Sequence, residues 1–123
     1  MESISTPSAP AAIGPYSQAI LCGNTLYASG QIPINPASGQ IEAKDIAGQT
    51  EQACKNVGEI LKAAGMGFEN VVKTTCFLAD IGDFAAFNEV YAKYFVSRPA
   101  RSCVAVRDIP KGALCEIEIT AVK

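Results

Sequence analysis

Histidine is absent from this 123-residue chain. Its absence removes Ser-His-Asp and Cys-His nucleophiles, imidazole acid–base chemistry and most zinc sites. Any catalysis must rest on carboxylates, Arg, Lys, Tyr, Cys, backbone groups or bound water, with no metal and no cofactor expected. A CxxC pair is also missing. The five cysteines, Cys22, Cys54, Cys76, Cys103 and Cys115, are scattered and odd in number, which suits free thiols in a reducing cytosol better than a disulfide framework. Charge is scarce as well: 18% of residues are charged, and ten basic against twelve acidic side chains leave a net charge of −2. With a pI near 5.0 the chain builds no basic field for a phosphate backbone, so no nucleic-acid partner is expected. No apolar run approaches the ~20 residues of a membrane span. The opening "MESISTPSAP" lacks the pattern of a signal peptide, and a cytoplasmic location is the expectation.

What is present is a globular composition, 49% hydrophobic over 123 residues, enough for one domain with a real core. That domain spans residues 1–123, with 1–9 expected as a loose tail. "YSQAILC" and "TLYASGQI" read as two strands joined at Gly23-Asn24. A loop punctuated by Pro33, Pro36 and Gly39 follows. Ile46, Ala53, Val57, Ile60, Leu61 and Ala64 recur at helical spacing, with Gly65 as terminator. "VVKTTCFL" is β-branched and reads as a strand. Asp83 caps a second predicted helix bearing Phe84, Phe87, Val90, Tyr91, Tyr94 and Phe95, which ends before Pro99. Strands over 101–107 and 113–122 flank the turn "DIPKG". The order β-β-α-β-α-β-β predicts an α+β fold, one mostly antiparallel sheet with both helices on one face.

The run "SRPARSCVAV" opens a strand with a permanently charged guanidinium beside a thiol. Arg101 and Cys103 lie two apart and share a face, about 7 Å from each other; Glu116 and Glu118 do the same in the last strand. If those strands pair across "DIPKG", arginine and carboxylate become neighbours on one face. The opposite parity of the last strand (Ala113, Cys115, Ile117, Ile119 and Ala121) is apolar and faces the helices. Two readings stay open. A cross-strand Arg–Glu pair on a solvated face contributes under about 1 kcal/mol. A face also carrying Cys103, Ala105 and Leu114 is instead one that a second subunit covers, where an arginine fork grips a carboxylate ligand. Tyr16 reads alone as a packed aromatic, Cys103 as a structural thiol, and Asn88 as a polar-face residue. Gly30, after Ser29, marks a close approach by another group.

Taken together, "APAAIGPYSQAI", "SGQIPINPASGQI", "QTEQACKNVGEILKAAG", "VVKTTCFLADIGDFAAFNEVYAKYF" and "RPARSCVAVRDIPKGALCEIEITAV" resemble, in order and spacing, the RidA (YjgF-type) family of reactive-intermediate deaminases. The similarity runs from about residue 9 to 123, and "PARSCV…IPKGA…EIE" is its most specific part. The resemblance implies a chorismate-mutase-like fold assembled as a homotrimer, with clefts between subunits. It implies hydrolysis of 2-imino acids, in equilibrium with 2-enamino acids, to 2-keto acids and ammonia. By the same resemblance Arg101 binds the substrate carboxylate and Glu116 handles the hydrolytic water. Cys103, Tyr16, Ser29, Gly30, Phe87 and Asn88 line the pocket. A protonated imine is already a good electrophile, so a water held by a carboxylate suffices as nucleophile. The alternatives are a 2-keto-acid-binding regulatory trimer and a chaperone-like trimer.

Overall fold

Gly23 takes φ +60, the positive value that a two-residue hairpin turn demands, and so joins β2 (Ala19–Cys22) to β3 (Thr25–Ala28) with Cys22 opposite Thr25. The computed structural model describes all residues, 1–123. Its remaining strands are β1 (Glu2–Ile4), β4 (Val71–Leu78), β5 (Ala100–Ala105) and β6 (Cys115–Val122). They form one sheet in the order β1-β2-β3-β6-β4-β5. Every pairing is antiparallel except β4 with β5. Two helices, α1 (Ile46–Ala63) and α2 (Phe84–Tyr94), complete the two layers.

Helix α1 starts where Asp45 Oδ1 accepts from the Gly48 N–H at 2.8 Å, satisfying one of the donors a helix start leaves open. Its apolar stripe buries Ala53, Val57, Ile60 and Leu61. At its end the Met66 N–H reaches the Leu61 carbonyl at 2.9 Å, a Schellman-type closure around Gly65. The predicted parity of β6 is the observed one: Cys115, Ile117, Ile119 and Ala121 are all buried beneath the helices. Leu26 and Ala28 from β3, and Val71, Cys76 and Leu78 from β4, complete that core with Phe87 and Phe95. The opposite sheet face carries Tyr27, Phe77, Val104, Glu116 and Glu118, and no element of this chain covers it. Tyr27 is 55% and Val104 45% exposed.

Three expectations are corrected. Residues 1–9 are not a loose tail: Glu2–Ile4 extends the sheet, pairing Glu2 with Leu21. The following segment is pinned by the Gln18 amide, which accepts from Thr6 N–H at 2.7 Å and donates to Pro10 O at 2.7 Å. That one buried side chain replaces ladder bonds that a Pro-containing segment cannot make. Second, β5 does not pair with β6 across "DIPKG". The α2 crossover returns β5 parallel to β4, with Arg101 opposite Thr74, and β4 separates the two strands. Third, Asp83 makes no side-chain cap; Asp80, at the start of the preceding 3-10 turn, accepts from Gly82 N–H instead.

Candidate active site

Parity along β5 decides where Arg101 points. Its partner Thr74 is fully buried on the helix side, and residues opposite each other in a ladder project to the same face. Arg101 and Cys103 therefore lie on the helix face, at the sheet's edge, while Glu116, opposite the exposed-face residue Phe77, lies on the other. The predicted shared face for Arg101 and Glu116 is corrected: within one chain the sheet stands between them.

Around Arg101 the helix α2 supplies a seat. Asn88 Oδ1 accepts from Arg101 Nη1 at 2.8 Å. The guanidinium carbon lies 4.7 Å from the Tyr91 ring centroid and 5.5 Å from that of Phe84. Such cation–π contacts hold a guanidinium in place while leaving its outer N–H groups free. The chain's single ion pair joins Arg107 to Asp108, both exposed, so no carboxylate of this chain neutralises Arg101. Tyr91 is itself fixed, its hydroxyl 2.7 Å from that of buried Thr74. Phe84, Asn88 and Tyr91 recur at spacings of four and three, one helical face. The sequence places Phe84 and Tyr91 on this helix, but spacing alone does not link them to Arg101.

Phe87 falls on the neighbouring stripe and is fully buried, packed beside Tyr91 at 5.7 Å between centroids. Its place as a pocket-lining residue is corrected to that of a core residue, because no surface of it reaches a ligand. Cys103 is half-buried; burial pushes its thiol up while Arg101 draws it down. Beneath it in the ladder, Cys76 is pushed up to about 12 by burial. Neither environment favours a thiolate nucleophile.

Glu116 occupies a second locality. The isolated bridge between Gln31 and Ile117, with N–H···O distances of 2.8 and 3.0 Å, brings the Ser29-Gly30 corner against β6. Gly30 passes so close that a Cβ there would stand 2.8 Å from Glu116 Cδ, a separation real side chains do not tolerate. Ser29 Oγ donates to Ser17 O at 2.6 Å and braces the corner. Burial first, and the Glu118 charge second, push the Glu116 carboxyl above the usual carboxylate range. Tyr16, 54% exposed, lines a cavity with Gly30, Ile13, Ile34 and Lys111. Lys111 holds φ +60 and was not singled out from the sequence. The structure thus brings together Arg101, Asn88 and Cys103 on one side, and Glu116, Gly30, Ser29 and Tyr16 on the other.

Known proteins resemble this chain along nearly its whole length. A 2-iminobutanoate/2-iminopropanoate deaminase of Homo sapiens is 55% identical over 121 residues, 98% of this chain and 88% of that protein. A RutC family protein of Pyrococcus horikoshii is 52% identical over 123 residues, 99% and 98% of the two chains. Among solved structures, E. coli TdcF with bound serine superposes with a TM-score of 0.95 at 42% identity, covering 100% of this chain and 99% of that one. The YjgF gene product from E. coli gives 0.94 at 45% identity, with 100% and 99% covered. The family model described as endoribonuclease L-PSP matches residues 6–123, and this chain belongs to that family, the YjgF/RidA family.

Proposed function

We propose that this protein hydrolyses 2-imino acids to 2-keto acids and ammonium, at clefts formed where two copies of the chain meet in a homotrimer. One observation carries the reading: Arg101 is held by Asn88 and Tyr91 with no carboxylate partner. A guanidinium so seated, at the edge of an acidic protein, is a receptor for a small carboxylate ligand. Relatives from Homo sapiens, Capra hircus and Bos taurus, 55% identical over 98% of this chain, are named deaminases of 2-iminobutanoate and 2-iminopropanoate, small acids with that group beside the reacting carbon.

Arg101 binds the α-carboxylate and so orients the C=N carbon. Glu116, contributed by the adjacent copy, holds the attacking water and accepts its proton; a carboxylate with a raised pKa is a fitting base near neutrality. The resulting carbinolamine expels ammonia as Glu116 returns the proton. In balance, one iminium and one water give one ketone and one ammonium. Gly30 leaves room for the carboxylate, and the Tyr16 hydroxyl borders the same cavity. The uncovered sheet face supports assembly, since Tyr27, Phe77 and Val104 form an apolar surface that a neighbouring copy would bury. The family model's description names RNA cleavage, yet a net charge of −2 and the lack of histidine offer little to hold or cut a phosphodiester.

The test is competition for a trapped imine. An amino-acid oxidase generates 2-iminobutanoate, semicarbazide traps it, and the protein competes. Wild type should abolish trapped product, while Arg101→Ala, folded and assembled, should leave it at the uncatalysed level. Trapping undiminished by wild type would overturn the reading in favour of a 2-keto-acid-binding module.

A further inference from the structure

The cleft beside Arg101 holds about 710 Å³, more than a three- or four-carbon acid fills. Its walls come from Asn88, Tyr91 and Ala92 of α2 and from Arg98, Pro99 and Arg101 of the segment that follows. No carboxylate lines it. Arg98 is therefore a second arginine lining the same space, and it too lacks an ion-pair partner. Its backbone is held in the left-handed region at φ +52, immediately before a proline, where helical conformations are disfavoured. Two hydrogen bonds fix the turn: Arg98 N–H to Phe95 O at 3.1 Å, and Ser97 Oγ to Val71 O at 2.9 Å. Glycine would fit that turn at lower cost, so the turn alone does not account for an arginine. Two unpaired cations in one cleft of a chain with net charge −2 mark a receptor for a ligand with two negative groups.

We infer that the cleft accepts 2-imino acids whose side chain ends in a second carboxylate, Arg101 holding the α-carboxylate and Arg98 the distal one. The inference rests on the deaminase reading and extends it to a dianionic substrate class. The chemistry is the same balanced step: iminium plus water gives ketone plus ammonium, and the distal carboxylate is unchanged. Neutral imino acids leave Arg98 without a contact. Discrimination then comes from one charge-assisted contact at the cleft's mouth, worth about three- to tenfold in kcat/KM and shrinking as salt is raised.

The experiment compares 2-iminoglutarate with 2-iminobutanoate, each generated in situ by an amino-acid oxidase, for wild type, Arg98→Gly and Arg98→Lys. Glycine adopts the left-handed turn without strain, so this variant keeps its fold. The ratio of kcat/KM for the acidic over the neutral imine should fall three- to tenfold in R98G and recover in R98K. An unchanged ratio overturns the inference. Should wild type hydrolyse neither imine, the deaminase reading falls, and calorimetric titration with 2-oxoglutarate decides the cleft's class separately. Weaker 2-oxoglutarate binding by R98G than by wild type upholds the dianion site, and equal affinities remove it.

Discussion

At the scale of single residues, Gly30 packs directly against the Glu116 carboxyl group. Gly30→Ala would drive a methyl into the carboxyl group, and the exposed corner offers Glu116 a way to swing aside rather than unfold the sheet. The expected outcome is a folded protein with kcat lowered about a hundredfold, since displacing the proposed base by about 1 Å carries that penalty; a crystal structure with Glu116 in place and full turnover would contradict it. The raised pKa of Glu116, caused by burial and then Glu118, has a stability consequence of definite sign. The folded pKa lies above the unfolded one, so the native state binds the extra proton between them and stability falls as pH rises through that window. Glu116→Gln removes that penalty. The variant should melt about 1–2 °C above wild type near pH 8, a small gain because the side chain is half in solvent. The difference should close near pH 4, as thermal scans at both values would show.

At the scale of elements, α1 does more than cover the sheet. Its buried Asn56 donates to the carbonyls of Ile32 at 3.0 Å and Ile34 at 2.9 Å, and accepts from Gln52 at 2.9 Å. It thereby pins the loop whose residues line the cavity beside Tyr16 and Gly30. Asn56→Ala leaves two carbonyls without their donor and should cost about 2 kcal/mol, read as a lowered denaturation midpoint. The helices were legible in the sequence because their signals are local: a 3.6-residue apolar stripe and, after α1, a terminating glycine. Strand pairing was not. Alternation reveals which residues share a face within a strand, but its phase relative to another strand depends on who the neighbour is. "RSCVAVR" and "LCEIEIT" look like a hairpin across a short turn. The uniformly apolar parity of β6 instead claims a central place, and the α2 crossover delivers β5 to the outside of β4. Arg101 thus faces the helices. The seat on Asn88 and Tyr91 follows from that placement and could not have been read from spacing alone.

At the scale of the whole molecule, Arg101 and Glu116 lie on opposite faces of one sheet, and the proposed function joins them through a second copy. Mixing supplies a direct check. Arg101→Ala and Glu116→Ala trimers, each inactive, are unfolded together in equal amounts and refolded. They should regain about a quarter of wild-type activity, the share of interfaces that join two intact halves when subunits assort at random. A site contained within one chain would regain none. Val104→Asp, on the uncovered face, places a charge in the surface that a neighbour would bury, and should lower the sedimentation coefficient to that of a single chain. The resemblance in sequence supplied the family and its expected chemistry. The chain's own geometry supplies the division of labour between faces.

That division gives the protein a sensitivity that no pocket residue encodes. A catalyst complete in one chain is present in proportion to its amount, however dilute. In the proposed trimer each chain carries half of two sites, and a lone copy would be chemically silent. On that proposal turnover per chain would rise with the number of chains in the same volume, and would vanish below the assembly threshold without any inhibitor. Scarcity itself would then be an off state, and synthesis or dilution of the chain would set activity more steeply than linearly.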